Sequence, residues 1–263
     1  MGVFSLGYTK ENKEEEKDSM RGEMKELSTN DGPFPIYCTK PNDDVRGGLI
    51  VIHEVWGLVD HIISVANRFA DQGYLVVAPQ LLQENEQASR LQEELFDPER
   101  RAIAQPKLRE LMAPMQSPDF GKKTLERVRA CYQYLSEQTD VNGKIAITGF
   151  CFGGTYSFSL AVYEPNLKAA VPFYGHADFS TEELGNIHCP ILAFYGENDE
   201  RLISQLPELK EKMNTAGVDF TAQVYENCSH AFFNDTNAFA YDKSAATDAW
   251  TKTIAFLSKN MSR

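Results

Sequence analysis

The chain has 263 residues, 42% apolar and 24% charged, a balance that excludes wholesale disorder and supplies ample material for a core. No apolar run approaches the roughly 18 residues that a membrane span needs. The 38 acidic residues outnumber the 26 basic ones, and a net charge of −12 repels phosphate, which argues against nucleic acid or an anionic membrane as partner.

Residues 1–20 are dominated by charge between Lys10 and Asp18 and read as a loose tail or a fraying helix, with no apolar secretory core. Residues 21–263 read as one domain, since no Pro/Gly/Ser linker divides them. Six short apolar runs predict strands at 48–53, 74–78, 144–148, 169–174, 191–195 and 220–225. They lack the polar alternation of a half-exposed sheet, so they predict a mostly parallel sheet buried on both faces. Pro172 counts against the fourth run, because proline cannot donate to a ladder.

Helical spacing joins Ile62, Val65, Ala66, Phe69 and Ala70, stopping at Gly73, and then Leu125, Val128, Cys131, Tyr132 and Leu135. A last helix is expected over about 238–259. Residues 80–121 carry no strand signal and predict a helical excursion near the sheet's edge. Strand and helix alternate, the pattern of an α/β domain with helices on both faces of the sheet.

The five cysteines, Cys38, Cys131, Cys151, Cys189 and Cys228, form no CxxC pair and are odd in number. That fits neither a disulfide framework nor a zinc ribbon, and points to a reducing, cytoplasmic setting.

In open parallel sheets, ligands bind beyond the carboxyl ends of the strands, so the residues after each run carry the functional reading. After the third run comes Gly149-Phe150-Cys151-Phe152-Gly153-Gly154. This is a nucleophile-elbow pattern with cysteine in the nucleophile's place, set between a strand and a helix. After the fifth run, Asp199 can orient a histidine; Glu197 and Glu200 compete, and the spacing from Gly196 favours Asp199. After the last run, His230 is placed as a general base. Cys151, Asp199 and His230 follow the chain order nucleophile, acid, base. His61, His176 and His188 complete no such set and read as structural. After the first run come His53-Glu54-Val55-Trp56-Gly57; the Val55 and Phe152 amides are assigned to an oxyanion hole, and Glu54 lies at its mouth.

These residues resemble the dienelactone hydrolase family over roughly residue 21 to the C-terminus. The resemblance rests on the cysteine elbow, on Glu54 in its motif, and on Asp199 and His230. It implies an α/β-hydrolase fold and an enzyme that opens a lactone or cleaves a small ester. It implies no cofactor or metal, and a small-molecule substrate met by a monomer or homodimer. It also implies that Glu54 holds the resting thiol and helps to generate the thiolate.

Family members acting on carboxylated lactones place one arginine just after the catalytic histidine and another after the second strand. Here Ala231, Phe232, Phe233 and Asn234 follow His230, and 79–88 holds no arginine. Arg90, Arg100, Arg101 and Arg201 are the available substitutes. With Trp56, Phe152 and Phe232 near the motifs, a neutral or more hydrophobic ester or lactone is expected, with Trp56 and Phe232 lining the pocket. Two other readings remain open at this point: a non-catalytic binding protein with a hydrolase-like pocket, and a redox sensor built on Cys151.

Overall fold

The computed structural model describes residues 21–82, 91, 94 and 100–262; the expected charged tail lies outside them. An eight-stranded sheet has the order β1-β2-β4-β3-β5-β6-β7-β8. Its strands are β1 (Glu23–Thr29), β2 (Gly32–Thr39), β3 (Gly47–Ile52), β4 (Tyr74–Pro79), β5 (Ile145–Phe150), β6 (Ala169–Phe173), β7 (Ile191–Gly196) and β8 (Phe220–Tyr225). From β4 to β8 every neighbouring pair is parallel. Every residue of β3, β5, β6 and β7 is buried, which explains why these runs show no polar alternation.

Six of these strands are those the apolar runs predict; β1 and β2 are not. They form an antiparallel hairpin that continues antiparallel onto β4. Its turn passes through Asn30 and Asp31 to Gly32 at φ 105°. Pro33 and Pro35 disguise β2 in the sequence, yet both precede Ile36, where pairing with β4 begins. There the missing N–H groups cost little. Pro172 is also accommodated. The Ala170 and Tyr174 amides donate to Pro190 and Phe194 across the β6–β7 boundary, and the proline falls in the gap between those bonds.

The helices are α1 (Asp60–Asp71), α2 (Arg101–Met112), α3 (Pro118–Ser136), α4 (Phe152–Tyr163), α5 (Thr181–Leu184), α6 (Glu200–Thr215) and α7 (Lys243–Met261). The face of α1 foreseen by spacing is buried, and Gly73 follows at φ 96°. Ser117 caps α3 by accepting from the Phe120 amide at 3.2 Å. The last helix starts five residues later than expected. Asn237 Oδ1 accepts from the Phe239 and Ala240 amides (both 3.2 Å), holding a turn, and Asp242 then caps α7 through the Ala245 amide at 2.8 Å. In the excursion after β4, Leu91, Ala104 and Leu108 pack with Trp56, which follows β3. Among the described residues no helix is long and apolar enough to cross a membrane.

Candidate active site

Cys151 occupies the turn between β5 and α4 at φ 54° and ψ −109°, a conformation that L residues rarely adopt. The turn is tight enough to dictate its flanks. A Cβ on Gly149 would collide with the Gly153 carbonyl, and one on Gly153 with the Ile52 carbonyl. The Cys151 amide donates to the Phe173 carbonyl at 3.0 Å, so the elbow is anchored on β6. Cys151 is half-buried, whereas the other four cysteines are buried. Burial pushes the Cys189 thiol up to about 12 and raises those of Cys38, Cys131 and Cys228. The one thiol that is not buried is thus the one at the start of a helix, where the dipole favours an anion.

His230 lies in the loop after β8, between Asn227 at φ 58° and Ala231 at φ 64°. Its Nδ1 is hydrogen-bonded to Asp199 Oδ2, at the start of α6, and its other side meets the Cys151 sulfur. Burial opposes charge on this ring. A Cys151 thiolate beside it and the bond to Asp199 outweigh burial and lift its pKa to about 10. Burial likewise works against the Asp199 carboxylate, but the hydrogen bond and charge of His230 hold it below the usual range. The competing acid Glu197 is engaged elsewhere, accepting from the Asn227 amide at 2.9 Å.

Glu54 is 3% exposed. Its Oε1 accepts from the Tyr174 hydroxyl at 3.2 Å and its Oε2 from the Asn234 side-chain amide at 2.6 Å. These bonds tie it to two residues that the sequence reading did not single out, and not to the thiol. Asn234 cannot turn its carbonyl towards Glu54 without loss, because Oδ1 already accepts from the Thr236 amide (3.0 Å) and hydroxyl (2.7 Å). Tyr174 is held protonated by burial, with the Glu54 and Cys151 charges adding to the effect. It sits at φ 38°, and its ring lies 4.9 Å from that of His230. The available signals were a polar residue at the end of β6 and an asparagine four residues after His230.

The Val55 and Phe152 amides donate to no protein acceptor among the described residues. Trp56 packs against the excursion cluster. Phe232 is fully buried, its ring 5.7 Å from Tyr174 and 5.1 Å from Tyr225, so it backs the site instead of lining it. His61 and His176 bind Asp235 and Thr155, at 2.9 and 3.0 Å. A cavity of about 340 Å³ lies between the loop after β6 and α6; His176, Tyr195 and Arg201 line it. Arg90 lies outside the described residues.

Comparison with known proteins gives a concordant result. Residues 34–261 match the dienelactone hydrolase family. A protein named as a candidate carboxymethylenebutenolidase from Saccharolobus solfataricus is 33% identical over 80% of this chain and 88% of its own length. The protein called usf from Aquifex pyrophilus is 30% identical over 89% of this chain and 97% of its own. In fold, the chain resembles a crystal structure described as a candidate dienelactone hydrolase from Klebsiella pneumoniae (TM-score 0.73, 24% identity, 90% of this chain and 99% of the other). It also resembles the thermophilic carboxylesterase EstE1 from a metagenomic library (TM-score 0.65, 12% identity, 95% and 96%). With the family matched across most of its length and the doubly covered sheet in place, the chain belongs to the dienelactone hydrolase family and is a carboxylic ester hydrolase of the α/β-hydrolase fold.

Proposed function

We propose that the chain cleaves a small carboxylic ester or lactone through Cys151 and a thioester intermediate. One observation carries the reading: a half-buried thiol on a strained elbow meets a histidine whose far nitrogen is bound by Asp199. The Cys151 sulfur forms a bond to the acyl carbon, and the carbonyl π pair moves onto oxygen. The Val55 and Phe152 amides receive that oxyanion; one such donor is typically worth about 10²–10³ in rate. The intermediate collapses with cleavage of the acyl C–O bond, and His230 gives its proton to the leaving oxygen. His230 then takes a proton from water as the water attacks the thioester, and the thiolate leaves. Asp199 keeps the imidazole oriented throughout.

A panel of short p-nitrophenyl esters tests this, with wild type, Cys151→Ala and iodoacetamide-treated enzyme side by side. The expected result is release by wild type alone. Turnover by Cys151→Ala would remove the thiol from the chemistry. Matched esters with and without a carboxylate then measure substrate charge. The sequence leads us to propose the neutral one, and Arg201 on the cavity against α6 is the feature that a preference for the acid would implicate.

A further inference from the structure

His53 is fully buried at the end of β3 and has no part in the chemistry above. Its imidazole makes two hydrogen bonds of opposite sense. Nε2 lies 3.0 Å from the Leu81 amide, which can only donate, so Nε2 accepts. Nδ1 therefore carries the ring proton and donates to the Glu54 carbonyl at 2.5 Å. That carbonyl accepts a second bond, from the Gly57 amide at 3.3 Å.

The Glu54 carbonyl and the Val55 N–H belong to one peptide unit, and no peptide among the described residues is cis. In a trans peptide the C=O and N–H point in opposite directions within one plane. Fixing the carbonyl towards His53 and Gly57 thus fixes the direction of the Val55 N–H. The same histidine reaches the second proposed donor. Its ring stacks on Phe152, with centroids 5.7 Å apart and planes 6° from parallel, and its backbone carbonyl accepts from the Gly153 amide at 3.1 Å.

We propose that His53 is a positioning residue for the oxyanion hole: its Nδ1–H sets the Glu54–Val55 peptide plane and aims the Val55 amide at the developing oxyanion. The inference rests on the thiol mechanism proposed above. Burial holds His53 at a pKa of about 4, so at working pH it keeps one donor and one acceptor. A second proton, on Nε2, would face the Leu81 amide and break the arrangement.

Two substitutions separate the two nitrogens. His53→Asn places an amide donor near the Nδ1 position and gives up the bond to Leu81. His53→Gln places a carbonyl near Nε2, keeps the Leu81 bond and gives up the donor to Glu54. Aiming the oxyanion amide predicts that His53→Gln loses much of the roughly 10²–10³-fold in kcat that a missing hole donor costs, while His53→Asn stays within several-fold of wild type. Alkylation of Cys151 by iodoacetamide builds no oxyanion and is expected to keep its wild-type rate in both. Losses in both variants that simply follow their melting temperatures would overturn the proposal, leaving His53 a packing residue.

The wild-type protein supplies a readout that needs no variant to fold. Addition of the thiolate to a trifluoromethyl ketone forms a C–S bond and moves the carbonyl pair onto oxygen, with no leaving group. The Val55 amide proton is expected to shift downfield in that adduct, and the His53 ring to be protonated at Nδ1 in ¹⁵N spectra. An unmoved Val55, or a ring protonated at Nε2, refutes the inference. Turnover that survives Cys151→Ala sinks the thiol mechanism and this proposal together. Turnover that needs Cys151 but is indifferent to His53→Gln sinks this proposal alone.

Discussion

The strain at the elbow makes a quantitative prediction about stability. Cys151 is held at φ 54° and ψ −109°, where a Cβ is disfavoured and glycine is at ease. Cys151→Ala removes the sulfur and keeps the Cβ; Cys151→Gly removes both. Holding a non-glycine residue there costs about 1–3 kcal/mol. Glycine returns about 0.4–1 kcal/mol of that by loosening the unfolded chain. The difference leaves Cys151→Gly ahead of Cys151→Ala by about 1 kcal/mol, and by about 2.5 kcal/mol at most. For a chain of this size each 1 kcal/mol moves Tm by about 2–4 °C. Calorimetric or urea unfolding of the two inactive variants, under identical buffer, is the assay. The glycine variant is expected to melt a few degrees higher. If it melts below the alanine variant, the elbow stores no strain and the local argument fails.

Other consequences are equally open to measurement. Asp199→Asn leaves a partner for Nδ1 but favours the wrong tautomer of His230; kcat is expected to fall by about 10²–10⁴-fold on any ester the wild type cleaves, and a loss below tenfold would show that the ring needs no acid. Asn234→Ala strips one donor from the buried Glu54 carboxylate, for an expected loss of about 3 kcal/mol and a correspondingly lower Tm; a change within 0.5 °C would mean that Glu54 does not depend on this amide. His53 titrates near 6.5 when unfolded and near 4 when buried, so the unfolded chain takes up the proton first as pH falls. Stability is therefore full above about pH 6.5 and declines towards pH 4, by about 3 kcal/mol from this group, and His53→Gln is expected to show a shallower acid slope in urea unfolding; equal slopes would contradict the burial argument.

His230 gives the opposite pH dependence. Its pKa is lifted to about 10, so the folded chain holds the proton more tightly than the unfolded one. That contribution is complete below about pH 6.5 and fades as pH rises through 10. Urea midpoints over that range are expected to fall more steeply for wild type than for His230→Gln, and parallel curves would refute it.

Much of this protein was written locally. Five of the six apolar runs became buried parallel strands, because a residue covered on both sides has no polar alternative; the run at 220–225 is parallel too, but as the edge strand β8 it is only partly covered, against the expectation of burial on both faces. The glycines at 149 and 153 announce a turn that excludes side chains, and the structure supplies the Gly153 and Ile52 carbonyls that a Cβ would strike. The order of Cys151, Asp199 and His230 was legible for the same reason: each lies in the segment just past a strand, so its place at the sheet's carboxyl edge needs no long-range knowledge.

What escaped the sequence depends on partners far apart in the chain. The β1–β2 hairpin was hidden by prolines whose tolerance rests on where β4 begins to pair. Glu54 was visible, but not its clamp. Tyr174 and Asn234 lie 120 and 180 residues away, and only the folded sheet brings their donors to one carboxylate. Phe232 looked like a pocket residue because aromatic character can be read in sequence and burial cannot. His53 looked like the end of a strand, and its bond to Leu81 exists only once β3 and β4 lie side by side. Composition and spacing determine which groups reach the carboxyl edge of the sheet. The direction in which each group points is set by hydrogen bonds to distant segments, and only the tertiary structure decides those.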